Sequence, residues 1–174
     1  MYLVECYGQW RYENYSNRSQ AAIVRTYKGK VGYFITEYVK PQENADHTGV
    51  RWLALRGRSG NGLQFVGAAP LSTSVWPYTQ AALASAMHPN EIEPLDGALT
   101  VNIDAAQAGL GGSDSWSMRA IPLPQYRFLG KRYEYSFKIV PVTKRSALVN
   151  NGRMLKRWCG VPEAGHGGIF TSAG

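Results

Sequence analysis

The sequence predicts an all-β fold, an antiparallel β-sandwich with one short helix, for this chain of 174 residues. Three observations lead to this prediction. Apolar and polar residues alternate with the period of two that is typical of strands with one face on a core. Glycine, proline and asparagine mark turns between these stretches, and only one run has the composition of a helix. We expect a domain over residues 1–142 and a basic, glycine-rich, poorly ordered tail over residues 143–174.

The first predicted strands occupy the N-terminal part of the domain. The segment that contains Cys6 has strand composition. Residues 21–27 and 31–35 are rich in β-branched and aromatic side chains, which predicts two further strands joined around Gly29.

The next strands show stronger alternation. Residues 50–55 and 63–66 flank the pair Asn61-Gly62, which favours a tight hairpin turn. Residues 99–104 and 133–140 alternate most regularly. Because the odd positions of the last segment are apolar, we expect that face of the strand to lie on the core.

The single predicted helix lies between these strands. Thr79 can cap a run of helix-forming residues that extends over residues 80–87. Pro89 cannot continue a helix and ends it.

The formal net charge of +7 is concentrated at one end of the chain. Residues 143–174 carry five basic side chains and one acidic side chain, which is more than half of that net charge. The remaining residues show no basic stripe with interleaved aromatic side chains and no nucleic-acid motif. The sequence therefore predicts no nucleic-acid partner.

Cysteine and histidine spacing gives no sign of a disulfide framework or a metal site. Cys6 and Cys159 lie at opposite ends of the chain, and His47, His88 and His166 have no ligand-type spacing. We therefore expect no metal ion or other cofactor in this chain.

Hydropathy gives no sign of a membrane segment. No apolar run approaches the roughly 20 residues that span a bilayer. The first residues lack the basic and apolar regions of a signal peptide. The sequence predicts no membrane partner and favours a cytoplasmic location.

A self-sufficient catalytic site is not predicted. Glycoside hydrolysis usually needs two facing carboxylates, and structural roles outweigh catalysis for each candidate here: Glu13, Glu37, Glu43, Glu91, Glu93, Asp104 and Asp114. Glu13 and Glu43 lie in polar loops, where carboxylates commonly accept backbone N–H bonds. A Ser-His-Asp triad of Ser115, His88 and Asp104 can be assembled only by choosing residues freely from the whole chain. The nucleophile motif Gly-x-Ser-x-Gly does not occur.

Residues 109–117 form the most informative segment, because they place Trp116 among glycine, serine and aspartate. Glycines allow tight turns, and serine and aspartate side chains stiffen them. Trp116 could lie over the end of the sheet as a cover for the core, which the spacing alone favours because burial of a tryptophan gains so much area. Alternatively, it could present a flat apolar surface to a sugar ring.

Several segments together resemble the C-terminal domain of the β-galactosidases of glycoside hydrolase family 2. In order and spacing they match between residues 3 and 142: Tyr7-Gly8, Glu13-Asn14-Tyr15-Ser16-Asn17-Arg18, Tyr38-Val39-Lys40-Pro41-Gln42-Glu43-Asn44, Thr48-Gly49-Val50-Arg51-Trp52, Pro77-Tyr78, His88 with Glu91, Asn102-Ile103-Asp104, and Gly109 to Trp116. The resemblance implies the second half of a supersandwich domain that is similar to galactose mutarotase. It also implies retaining hydrolysis of terminal β-D-galactosides such as lactose.

The resemblance also implies that catalysis and this chain's contribution to substrate binding belong to different domains. The two catalytic glutamates and the Mg²⁺ and Na⁺ sites belong to a central barrel that this chain does not contain. The C-terminal domain supplies an aromatic loop, on which Trp116 stacks against the aglycone or second sugar while Ser113, Asp114 and Ser115 shape the loop. The expected partners are a galactoside and the remaining domains of the enzyme or a large subunit.

Two features depart from the family pattern. Residues 8–12 replace its usual Gly-Pro turn, and residues 143–174 have no counterpart. A half sandwich would expose strand edges and an apolar face, so we expect a fragment or a subunit that needs its partner. Two other functional classes stay open: a free-standing carbohydrate-binding module that uses Trp116 with Trp76 or Trp10, and a structural interface domain.

Overall fold

A computed structural model of the protein describes residues 2–111, 114, 116–130 and 132–148. In these residues the chain forms an antiparallel sheet and one α-helix, α1, at Gln80–Ser85. The strands of the sheet are β1 at Leu3–Gln9, β2 at Val24–Lys30, β3 at His47–Arg56, β4 at Gly62–Trp76, β5 at Thr100–Asp104 and β6 at Phe137–Val142. The predicted all-β, antiparallel class with one short helix is confirmed.

The long strand β4 organises the sheet. The strand order is β2-β1-β3-β4-β5, and β6 also pairs with β4. The first part of β4 pairs with β6, and its last part pairs with β5. Both β5 and β6 therefore lie along the same edge of β4. A shift in the β3–β4 register separates the two parts, because Val50 pairs with Leu71 whereas Trp52 pairs with Val66.

The main core covers one face of this sheet. Val4, Cys6, Leu53 and Phe65 share that face by their pairing and are buried in one cluster. On the opposite face, two smaller clusters form around Trp52 and around Trp76. Burial raises the pKa of the Cys6 thiol well above its ordinary value, so this cysteine acts as a small apolar side chain.

Several predicted elements agree with the structure. The strands predicted at 50–55, 63–66 and 99–104 fall within or overlap β3, β4 and β5. The predicted cap of α1 is also present, since Thr79 Oγ1 accepts a hydrogen bond from the backbone N–H of Ala82 at 3.0 Å.

The strand predicted at 31–35 is wrong. Residues Val31–Phe34 form a turn of 3₁₀-helix, in which Val31 and Phe34 both lie in the core. An interval of three residues places both side chains on one side of such a turn, so burial does not require alternation. Gly29 is not a connection either, since it lies within β2 and pairs with Val4.

The last predicted strand starts later than expected, and its apolar face is largely uncovered. The strand begins at Phe137, whereas residues 132–136 are irregular. Phe137 is partly buried and packs against the main core, which confirms the predicted face at that position. Tyr133 and Tyr135 are exposed and Ile139 is 51% exposed, so burial is wrong for the other positions of this face. Val24 on the edge strand β2 is also exposed.

The predicted tail lies outside the described residues from position 149 onward. Residues 143–148 continue past β6, and the Arg56 guanidinium donates to the carbonyl oxygens of Thr143 and Ser146. Leu148 packs against the Trp52 cluster. The domain boundary at residue 142 stays a prediction. Across the described ranges, no helix is long and apolar enough to cross a bilayer.

Candidate functional site

Trp116 projects from the irregular segment between β5 and β6. Its side chain is 87% exposed. It therefore does not cover the core, and that alternative is wrong for the described structure. An exposed indole offers a flat apolar surface on which a sugar or another planar group can stack.

Asp114 holds the turn that presents Trp116. Asp114 Oδ1 accepts hydrogen bonds from the backbone N–H groups of Trp116 and Ser117, at 3.0 and 2.6 Å. Its Oδ2 accepts from Ser117 Oγ at 2.7 Å. The hydroxyl and N–H of Ser117 favour the charged carboxylate and hold the pKa of Asp114 below its ordinary value.

Ser117 is a loop residue that sequence reasoning missed. Its Oγ also accepts from the backbone N–H of Arg119 at 3.2 Å and caps the short 3₁₀ turn Met118–Ala120. The spacing of Asp114 and Ser117, three residues apart, was the available signal. Ser113 and Ser115, which were expected to shape the same loop, lie outside the described residues.

The segment that leads to Trp116 is clamped by a distant motif. Asn17 Nδ2 donates to the carbonyl of Leu110 at 2.6 Å, and Asn17 Oδ1 accepts from the Leu110 N–H at 2.9 Å. Arg18 Nη2 donates to the carbonyl of Gly111 at 3.0 Å. The Asn17-Arg18 pair therefore fixes residues 110–111, which we call the stem of the Trp116 loop.

The glycines of the stem allow close packing. A Cβ atom at Gly111 would lie 1.9 Å from the carbonyl oxygen of Ala120, and one at Gly109 would lie 2.6 Å from Tyr126 Cβ. Neither glycine has a positive φ. Gly109 and Gly111 are therefore not needed for a special turn conformation, as was expected. They are needed because neighbouring atoms approach the backbone too closely for a side chain.

The residues that precede Asn17 join two other segments of the chain. Glu13 Oε1 accepts from the hydroxyls of Tyr15 and Tyr38, and Oε2 accepts from the backbone N–H of Ala45 at 3.0 Å. Asn14 Oδ1 accepts from the N–H and hydroxyl of Thr48. The expected backbone contact of Glu13 is confirmed.

Trp10 and Trp76 cannot act as open binding surfaces in this structure. They are 1% and 2% exposed, respectively. The Trp10 ring stacks on the His47 imidazole at 3.9 Å, and Trp76 Nε1 donates to the carbonyl of Asn44 at 2.9 Å. Their suggested part in a carbohydrate-binding module is wrong.

A second feature is a polar pocket of about 150 Å³ beside Trp76, on the face of the sheet opposite the main core. We call it the Asp46 pocket. Glu43, Asp46 and Asp104 contribute carboxyl groups to its lining. Burial, reinforced by the charges of neighbouring carboxylates, raises the pKa of Asp46 to about 8.

The described part of the chain shows no candidate metal site. No cluster of three or more histidine, cysteine, aspartate or glutamate side chains there has the arrangement of a metal site. The resemblance places the Mg²⁺ and Na⁺ sites in the barrel, and that location stays a prediction.

Comparison with known proteins matches residues 3–139 to the family described as beta galactosidase small chain. A beta-galactosidase of Halalkalibacterium halodurans is 36% identical over 114 residues, which cover 65% of this chain and 11% of that protein. A beta-galactosidase of Priestia megaterium is 31% identical over 78% of this chain and 13% of its own length. For a beta-galactosidase of Vibrio cholerae the identity is 32% over 144 residues, or 83% of this chain and 13% of the relative. The chain thus spans only about an eighth of these relatives.

Proposed function

Because the chain belongs to the beta galactosidase small chain family, we propose that it works as the C-terminal β-domain of a β-galactosidase of glycoside hydrolase family 2. In this proposal the whole enzyme hydrolyses terminal β-D-galactosides such as lactose with retention of configuration. The catalytic glutamates and the metal ions belong to the barrel. This chain contributes substrate-binding surface and is inactive alone.

The exposure of Trp116 is the observation that carries the proposal. An indole that is 87% exposed gains nothing from the core of its own domain, so its position needs another explanation. Asp114 and the stem clamp hold its backbone at defined points. An uncovered ring on a fixed backbone suits a ligand surface, because less of the backbone must become ordered when the ligand binds.

The proposed mechanism for Trp116 is stacking on the sugar or aglycone next to the galactose. The apolar face of a sugar ring covers the indole, and both surfaces lose contact with water. Stacking of a nucleic-acid base on an aromatic side chain contributes about 1–3 kcal/mol. For a sugar at an open subsite we expect the lower end of that range.

Exposed apolar side chains around Trp116 support a partner from the same enzyme. Met118 is 82% exposed, and Leu110, Ile121 and Leu123 are also exposed. On an isolated domain such side chains would be unfavourable in water, whereas contact with the barrel would bury them. Tyr135, which precedes β6, and Ile139 within it are also exposed and suit the missing half of the sandwich in the same way.

A chimeric enzyme tests this function. In the Vibrio cholerae relative, the matched segment of 144 residues is replaced by the corresponding residues of this chain, and hydrolysis of a nitrophenyl galactoside is measured. We expect activity in the chimera and none after deletion of the segment. A stably folded chimera without activity would contradict the proposal.

The isolated chain separates this function from that of a free-standing carbohydrate-binding module. Titration of the 174-residue chain with lactose, followed by tryptophan fluorescence, should give no saturable change if the barrel completes the binding site. A saturable change that is lost in Trp116→Ala would favour the module instead.

A further inference from the structure

Within the Asp46 pocket, several acceptor atoms have no donor. Asp46 is 5% exposed, and neither of its carboxylate oxygens has a hydrogen-bond partner in the described residues. The backbone N–H of His47 offsets part of the rise in the pKa of Asp46. Asn44 Oδ1, which also belongs to the pocket lining residues, is likewise buried without a partner. A buried acceptor without a donor is costly, so this arrangement needs a ligand.

Several donor groups around the pocket already bond within the protein. Asn102 Nδ2 donates to Ser74 Oγ at 2.8 Å, and Gln80 Nε2 donates to Glu43 Oε1 at 2.8 Å. Trp76 Nε1 donates to the carbonyl of Asn44. The buried atoms of these residues that lack a partner, both Asp46 carboxylate oxygens and Asn44 Oδ1, are acceptors, so a ligand that satisfies them must bring donors.

The charge of the pocket points to the same kind of ligand. Glu43, Asp46 and Asp104 line it, and Glu13 lies close enough to influence Asp46. None of the pocket-lining residues is lysine, arginine or histidine. A cation in the pocket would be attracted by several carboxylates and would stabilise the charged form of Asp46.

Size and geometry restrict the choice of cation. A volume of about 150 Å³ corresponds to roughly five water molecules at about 30 Å³ each. The described residues contain no cluster with the arrangement of a metal site. Ammonium offers three N–H donors and guanidinium five, with no acceptor on either group. Both match a small pocket whose buried unpartnered side-chain atoms are acceptors.

We propose that the Asp46 pocket binds one ammonium or guanidinium group, held by the Asp46 carboxylate and the Asn44 side-chain oxygen. The group comes either from a free amine or from a lysine or arginine side chain of the enzyme's remaining domains. This site is separate from the Trp116 surface, and its test does not use galactosidase activity.

The first arm of the test detects a free amine. The isotope-labelled 174-residue chain is titrated with methylammonium at constant ionic strength, with tetramethylammonium as the cation that has no N–H donor. We expect saturable shifts in the side-chain amide signals of Asn44 and Asn102 with methylammonium alone. Asp46→Asn should weaken binding at least about tenfold because it removes the charge-assisted acceptor, whereas Glu93→Gln, at an exposed carboxylate, should not.

The second arm identifies the source of the cation in the chimeric enzyme through its melting temperature. If methylammonium raises the melting temperature of the chimera but not that of its Asp46→Asn variant, the ligand is a free amine. If methylammonium has no effect but Asp46→Asn lowers the melting temperature while Glu93→Gln does not, the ligand is a side chain of the enzyme.

One combined result overturns the proposal. Methylammonium and tetramethylammonium would act alike on the chain and on the chimera, and Asp46→Asn would leave the melting temperature of the chimera unchanged or raise it. In that case the buried carboxylate has no cationic ligand, whatever the activity of the chimera.

Discussion

Asn17 binds both backbone groups of Leu110, although 93 positions separate the two residues. Its Nδ2 donates to the Leu110 carbonyl at 2.6 Å, and its Oδ1 accepts from the Leu110 N–H at 2.9 Å. One side chain thus satisfies the donor and the acceptor of one loop residue. This contact connects the Glu13–Arg18 motif to the loop that carries Trp116.

Asn17→Ala should release the stem of the loop. Two hydrogen bonds are lost, and the Leu110 N–H becomes free to exchange with solvent. Hydrogen exchange at Leu110 should become at least about tenfold faster, which corresponds to a loss of about 1.4 kcal/mol of local protection. Asn90→Ala, at an exposed asparagine in the turn Pro89–Glu91, is the control. Unchanged exchange at Leu110 would show that the clamp does not hold the stem.

Gly111→Ala should destabilise the loop more than a typical surface substitution. The new methyl group would lie 1.9 Å from the carbonyl oxygen of Ala120, so the backbone must move. Such overpacking typically costs about 1–3 kcal/mol. Gly32→Ala is the matched control, because a Cβ there meets nothing within 4 Å, and its effect should stay within about 0.5 kcal/mol. Urea unfolding of both variants compares them, and equal stabilities would contradict the close contact.

Local patterns predicted much of the fold, and long-range contacts explain the rest. The strand patterns within β3 and β5, the first part of β4 and the Thr79 cap depend on neighbouring residues, so the sequence alone revealed them. Residues 67–76 of β4 were not predicted. The 3₁₀ turn at Val31–Phe34 was missed because its apolar residues suit a strand equally well. Tertiary packing decides whether such a short segment forms a strand or a 3₁₀ turn.

The site was only partly predictable for the same reason. Trp116 and Asp114 stood out because their neighbours are small and polar. The Asn17–Leu110 contact and the Asp46 pocket bring together residues from distant segments, and no local spacing indicates such contacts. Burial of Trp10 and Trp76 likewise depends on partners elsewhere in the chain.

Asp46 should make the protein less stable as the pH rises. Its pKa is about 8 in the folded state, above the ordinary value of 3.8, because burial and the charges of Asp104, Glu13 and Glu43 disfavour ionisation. A raised folded-state pKa gives stability that is fully present below pH 3.8 and is lost as the pH rises through about 8. The free energy of unfolding of the chain, measured without amines from pH 5 to pH 9, should therefore fall.

Asp46→Asn removes this titrating group and should flatten that part of the pH profile. Saturating methylammonium should flatten it as well, because a bound cation stabilises the charged carboxylate. Glu93→Gln serves as the control and should keep the wild-type slope. If the unfolding free energy of Asp46→Asn falls with pH as steeply as that of the wild type, other groups cause the slope.

His47 should make the protein less stable as the pH falls into the acidic range. Burial lowers its pKa from 6.5 to about 3, an effect that backbone groups of Ala45 and Thr73 partly offset. A lowered folded-state pKa gives stability that is fully present above pH 6.5 and is lost as the pH falls toward 3.

His47→Phe tests this assignment because it retains an aromatic ring beside Trp10 but cannot be protonated. Melting temperatures between pH 7 and pH 4 should fall less steeply for His47→Phe than for the wild-type chain. Tyr12→Phe, at an exposed aromatic side chain, is the control and should keep the wild-type slope. Equal slopes for His47→Phe and the wild type would show that His47 is not the group responsible.

The most direct test of the account compares transfer to an added sugar with hydrolysis in the chimeric enzyme and its Trp116→Ala variant. With glucose as acceptor, loss of about 1 kcal/mol of stacking should reduce the transfer-to-hydrolysis ratio about fivefold. The kcat for cleavage of a nitrophenyl galactoside should change less than about twofold, since the catalytic groups lie elsewhere. Trp116→Phe should restore part of the ratio, and Met118→Ala, at a neighbouring exposed side chain, should leave it unchanged. A Trp116→Ala ratio equal to that of the unmodified chimera would contradict the central claim that this chain holds the second sugar.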